Sequence, residues 1–245
     1  MSAVPPDDLD RRLDQVRAST ARLVEELVAL APADDTLRRP SLLPGWTRAH
    51  VLSHLARNAD ALCRAMVGAQ RGEPAVMYPG GTEARDAEIA AGATRAAAAI
   101  IADVADSARR LDHAWSATSG AAWDVATVTR QGAQPVWRTV GSRWREVEIH
   151  WVDLELGYGP ADWPAAFLAP LLPALADADR LGPRLPPGVA VEIEATDSGH
   201  RWSAGDGPER VPVRGPSWAV ACWLVGRPAA VRDTLGKPPE LAPWI

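Results

Sequence analysis

Along the first two-thirds of the chain, apolar residues recur with the period of a helix. Leu9, Leu13, Val16, Leu23, Leu27 and Leu30 fall on one stripe with charges between them, which predicts a helix over residues 7–30, closed by Pro32. Pro40, Pro44 and Gly45 mark a loop, and Thr47 is the N-cap expected for a second helix over 48–71, stopped by Gly72 and Pro74. After the loop Tyr78-Pro79-Gly80-Gly81, a third, alanine-rich helix is expected over 83–118, with Gly92 as the point of a kink or break. Residues 124–135 are ambiguous; Val125, Thr127, Val128 and Thr129 suit a short extended segment. A fourth helix is expected over 136–156, ended by Gly157, Gly159 and Pro160. Four long amphipathic helices with connections between them predict a four-helix bundle.

The pattern then changes. Residues 163–180 read as one more helix interrupted by prolines, and 183–188 as a linker. Residues 189–195 alternate as a strand, Asp197-Ser198-Gly199 is a turn, Arg201 starts a second strand, and 211–213 suit a third. A short apolar helix over 216–224 follows. The expectation is a mainly α protein: a helical bundle over residues 1–160, then a small α+β domain over 161–245.

Composition narrows the function classes. The chain has 245 residues, 47% hydrophobic and 23% charged, with a formal net charge of −5 and no basic tract, which argues against a nucleic-acid partner. No apolar run approaches the roughly 20 residues of a membrane span, and residues 1–10 are polar and acidic without the apolar stretch of a signal peptide. Cys63 and Cys222 form no CxxC pair and read as free thiols of a reducing cytoplasm, small buried hydrophobes rather than nucleophiles. Eleven tryptophans stand against one phenylalanine, enough to fill core or line a pocket.

The candidate chemistry lies in Arg145-Glu146-Val147-Glu148-Ile149-His150-Trp151-Val152-Asp153-Leu154. Glu146 and His150, four apart, share one helix face and can grip one divalent cation. A third ligand from another helix would complete a His₂Glu set, which suits zinc with an open position. His50 and His54, also four apart, are the candidates, and spacing does not choose between them. Asp153 reads either as an acceptor fixing the His150 tautomer or as an exposed helical acid. Arg227, between Gly226 and Pro228, reads either as a carboxylate clamp or as a helix-end cation. His113 and His200 sit in polar surroundings and read as surface residues.

Three stretches resemble a known family: Ser41-Leu42-Leu43-Pro44-Gly45-Trp46-Thr47-Arg48-Ala49-His50 on through His54, Asn58 and Ala61-Leu62-Cys63; Met77-Tyr78 with Glu83-Ala84-Arg85 and Glu88-Ile89-Ala90; and Arg145 to His150 with Val152-Asp153-Leu154. Gly226-Arg227 and the closing Pro243-Trp244-Ile245 are also alike. The chain resembles the mycothiol-dependent maleylpyruvate isomerases, which join a DinB-like four-helix bundle to a small α+β domain related to sterol-carrier proteins. The resemblance implies a zinc ion held by His54, Glu146 and His150, a functional arginine at Arg227, mycothiol as thiol cofactor and maleylpyruvate as substrate. It implies reversible thiol addition, in gentisate-type aromatic breakdown, by an enzyme expected to be monomeric. Two other readings stay open: a mycothiol S-transferase acting on another electrophile, and a metal-bearing binding or regulatory protein.

Overall fold

A computed structural model describes residues 8–129 and 132–243. Asp7, where the first helix was expected to begin, the N-terminal segment before it, Arg130 and Gln131, and the terminal Trp244 and Ile245 lie outside the described residues. The chain forms two compact units, Met1–Leu156 and Gly157–Ile245.

In the first unit, helix α1 (Leu9–Leu30) buries Leu9, Leu13, Val16, Leu23 and Leu27 and ends on Ala31 in the left-handed region, whose N–H returns to Leu27 O. A short helix α2 (Asp34–Arg38), which the apolar pattern does not announce, leads to α3 (Arg48–Gln70). Thr47 caps α3 as expected, accepting from the His50 N–H. The long third helix is two: α4 (Gly81–Ala93) and α5 (Ala97–Ser116). The break falls at Thr94–Arg95–Ala96, not at Gly92. The start of α5 is capped from afar, with Asp34 Oδ1 accepting from the Ala97 N–H at 2.7 Å. Gly92 stays helical and serves packing instead: a Cβ there would lie 2.4 Å from Ser53 Oγ on α3. The last helix, α6 (Arg138–Asp153), buries Val147, Ile149 and Val152.

The bundle follows from the pairing of buried faces. α3 packs on both α5 and α6, α1 packs on both α6 and α5, and α4 lies along α3. Residues 124–135, ambiguous in sequence, supply β2 (Ala126–Thr129) and β3 (Gly132–Pro135), an antiparallel pair that β1 (Ala75–Val76) extends in parallel.

The second unit holds α7 (Ala165–Ala176) and α8 (Ala178–Leu181), then β4 (Val189–Ala195), β5 (Arg201–Ala204), β6 (Glu209–Gly215) and α9 (Ser217–Leu224). Pro170 and Pro173 sit inside α7, and the helix breaks after them, at Asp177. The sheet order is β5-β4-β6, antiparallel on one side of β4 and parallel on the other, with Val191 opposite both Ala204 and Val211. α9, buried from Ala219 to Leu224, covers β4 and β6. The sheet, flanked by helices before and after it in the chain, gives this unit the α+β character expected, and β6 pairs with β4 in parallel over seven residues.

Candidate metal centre

His54 lies on α3, Glu146 and His150 one turn apart on α6, and the packing of those two helices brings the three together. One ligand atom from each lies within 4.8 Å of the others. Glu146 Oε2 is 2.7 Å from His54 Nε2 and 3.3 Å from His150 Nε2. The two rings stand perpendicular, centroids 4.8 Å apart. Donors around a tetrahedral ion with bonds of about 2 Å sit roughly 3.4 Å apart; the His150–Glu146 spacing matches that and the His54–Glu146 pair is less than an ångström closer. Two imidazoles and a carboxylate are the donor types of a zinc or similar borderline ion.

The two histidines of the HxxxH pair are placed differently. His50 occupies the third position of α3 and closes a capping box: its Nδ1 accepts from the Thr47 N–H at 3.3 Å and lies 2.7 Å from Thr47 Oγ1. It is spent on the helix end, while His54, one turn on, faces Glu146. Asp153 is fully buried, and its Oδ2 accepts from His150 Nδ1 at 2.8 Å, so it is the tautomer-fixing acceptor rather than an exposed acid. With Nδ1 bearing that proton, His150 aims Nε2 at the cluster.

Residues 13–155 match the profile of the mycothiol maleylpyruvate isomerase N-terminal domain. The chain belongs to the mycothiol maleylpyruvate isomerase family. One solved structure of a mycothiol-dependent maleylpyruvate isomerase is 33% identical, with 96% of this chain and 97% of that chain covered and a TM-score of 0.83. A structure of a histidine-to-alanine mutant under the same enzyme name gives 33% identity, the same coverage and a TM-score of 0.85. No curated protein matches the chain.

In this family member the electrostatics of the cluster are strongly coupled. Burial lowers the His54 pKa against the opposing pull of Glu146, with His150 and Arg85 adding to the lowering. Burial would likewise neutralise His150, yet its hydrogen bonds with Asp153 and Glu146 override that and hold it up to about 9. Burial alone would raise Glu146; the field of His54 and the hydrogen bonds with both histidines instead hold its carboxyl well below the ordinary range.

Sequence reasoning gave no role to several neighbours. Arg85, on α4, places an NH2 nitrogen 3.1 Å from His54 Nδ1 while its NH1 pairs with Asp86 at 2.7 Å. The Arg85 guanidinium carbon is 5.8 Å from the Tyr78 ring centroid. Trp46 sets its ring edge-on to His54 at 5.6 Å. Arg143, fully buried one turn before Glu146, donates to Leu55 O at 2.8 Å and Asn58 Oδ1 at 2.9 Å, and burial pushes its pKa down to about 10. Arg85, Tyr78 and Asn58 all fall inside the stretches that carry the family resemblance, which was the available signal.

Arg227 belongs to the second unit, follows Gly226 at φ 83°, and donates from NH1 to Val225 O at 2.8 Å. Cys222 is buried, and burial pushes the half-buried Cys63 thiol up to about 11, far from a thiolate nucleophile. His113 and His200 are exposed. Among the described residues, no helix is long and apolar enough to cross a membrane.

Proposed function

We propose that this chain is a zinc- and mycothiol-dependent maleylpyruvate isomerase, converting maleylpyruvate to fumarylpyruvate. The observation that carries the reading is the convergence of His54, Glu146 and His150, backed by Asp153, inside a domain of this family.

His54, Glu146 and His150 would hold the ion, and three protein ligands leave a position open. A zinc ion bound there supplies a lowered pKa to a thiol sharing its coordination. Asp153 holds the His150 ring in the orientation that presents Nε2. The cis alkene of maleylpyruvate, conjugated to a carbonyl, accepts the mycothiol sulfur at one alkene carbon, and the displaced π electrons move onto the carbonyl oxygen as an enolate. The former double bond is now single and rotates. When the enolate collapses, the carbon–sulfur bond breaks, the trans alkene forms and the thiol is returned, so neither oxidant nor net proton is consumed. Arg227 is proposed as the fixed cation for a substrate carboxylate or for the enolate charge. The chain's own cysteines take no part, consistent with a Cys63 thiol held at about 11 and a buried Cys222. We place the enzyme in the cytoplasm, in gentisate-type aromatic breakdown.

The test is an absorbance assay of purified protein with maleylpyruvate, with and without mycothiol. Isomerisation that requires mycothiol supports the reading. If maleylpyruvate is untouched while mycothiol is consumed on another electrophile, the S-transferase reading of the same site replaces it. If neither reaction occurs with a metal-loaded protein, a binding role does.

A further inference from the structure

The two histidines of the cluster are backed by opposite chemistry. Behind His150 stands a carboxylate, Asp153, which accepts a proton donation from Nδ1 at 2.8 Å. Behind His54 stands a guanidinium, Arg85, whose NH2 nitrogen lies 3.1 Å from Nδ1. A guanidinium has five N–H donors and no acceptor. His54 Nδ1 must therefore offer its lone pair, and the ring proton sits on Nε2, where it is donated to Glu146 Oε2 at 2.7 Å. His150 gives its Nδ1 proton to Asp153 and turns Nε2 toward Glu146; His54 carries its proton on Nε2 instead.

A cation on His54 Nε2 needs the lone pair there. The ring proton then moves to Nδ1, and Nδ1–H would point at an Arg85 N–H, donor against donor. The bound ion adds like-charge repulsion to an Arg85 side chain that is only 14% exposed. Arg85 and the ion thus exclude each other from His54. Arg85 has somewhere to remain: its NH1 is paired to Asp86 at 2.7 Å, and Asp86 is 54% exposed, so the guanidinium can pivot about that ion pair without losing its counter-ion. The NH2 edge so freed stands beside a cation, and two adjacent positive centres with a planar fork suit an oxyanion, which in the proposed substrate is a carboxylate.

We propose that metal binding at His54 displaces Arg85, and that the displaced guanidinium is the receptor for a carboxylate of the substrate. This rests on the metal reading given under the proposed function and adds to it the residue that recognises the acid group. Arg85 thereby makes loading of the ion and readiness for the substrate a single event.

The experiment measures zinc affinity, by competition with a chromophoric chelator, and maleate affinity of the zinc-loaded protein, by calorimetry, for wild type, Arg85→Met, Arg85→Gln and His54→Ala. Circular dichroism checks the fold of each. Removing the competing donor should tighten zinc about tenfold in Arg85→Met, a change of about 1.4 kcal/mol. Arg85→Gln should tighten it as well, because glutamine can accept from Nδ1–H. Maleate binding should weaken at least about tenfold in both variants. The ¹⁵N shifts of His54 should report protonated Nε2 without zinc and protonated Nδ1 with it. Zinc affinity unchanged or weaker in both Arg85 variants overturns the proposal, as does unchanged maleate affinity. A His54→Ala variant that binds zinc like wild type is a different failure: it removes the metal reading itself, and this inference with it.

Discussion

The carboxylate of Asp153 accepts a hydrogen bond from His150 Nδ1 at 2.8 Å, across one turn of α6, and is wholly shielded from solvent. Partners of this kind typically contribute 10–100-fold to metal affinity. Asp153→Asn, which keeps the shape but can offer an N–H instead of an acceptor, should weaken zinc binding by about that factor with circular dichroism unchanged. Chelator competition would read it, and unaltered affinity would leave Asp153 a structural acid.

A pH dependence follows for chelated protein. His150 is buried, which opposes its charge, but Asp153 and Glu146 hold its pKa at about 9 against an ordinary 6.5. A folded-state value above the unfolded one contributes stability that is fully present below about pH 6.5 and is lost as pH rises through about 9. The melting temperature should fall over that window, and Asp153→Asn should flatten the decline. A wild-type profile that is level there contradicts the assignment.

His50 and His54 should separate cleanly. His54→Ala should lose the metal. His50→Ala should keep it and lose only its half of the capping box, costing about 1 kcal/mol in denaturant unfolding. Elemental analysis beside a urea melt distinguishes the two variants; a metal-free His50→Ala would reverse the assignment within the pair.

Gly92 is expected to be needed for contact, not flexibility. A methyl there meets Ser53 Oγ at 2.4 Å and Ser53 Cβ at 3.1 Å. Gly92→Ala should destabilise by about 1–2 kcal/mol despite the better helix propensity of alanine. Adding Ser53→Ala should recover about half of that, a coupling measurable in a double-mutant cycle. If Gly92→Ala is more stable than wild type, α4 is not held against α3 at this point.

For Arg227 the expectation is an electrostatic role separate from metal binding. Arg227→Ala should lose roughly 10²–10³ in turnover while keeping its zinc, and Arg227→Lys should rescue only part, since an ammonium cannot reproduce the fork. Metal content and turnover on one preparation decide it, and unchanged turnover would return Arg227 to a helix-end cation.

The helices of the bundle and the ligand spacing on α6 were legible because both are local and periodic. What sequence could not supply was information held between segments. In the alanine-rich run from Ala84 to Ala99, Gly92 is the local signal for a break, yet it stays helical; the restart at Ala97 is capped by Asp34, 63 residues before it. His50 and His54 share a spacing and a helix, so periodicity could not choose between them; the resemblance pointed to His54, and the closed Thr47–His50 box and the His54–Glu146 contact are what separate them in space. Arg85 sits on a different helix from any ligand, so its approach to His54 Nδ1 has no pattern in sequence at all. The paired strands of residues 124–135 were too short for alternation to register.

The segment between α1 and α3 reads as a connector on the surface, a type of place where extra residues are usually accommodated. Here it and the first residue of α3 make three ties to two helices: Asp34 seats the start of α5, Leu42 N–H binds Asp153 O at 3.0 Å, and Arg48 reaches Glu155 O at 3.2 Å. Two of those ties end at or just past the last turn of α6, the turn that carries the buried acid behind His150. Lengthening this stretch by even a few residues would therefore be felt in the grip of the cluster, and relatives in which it varies in length would need another clamp on that helix end.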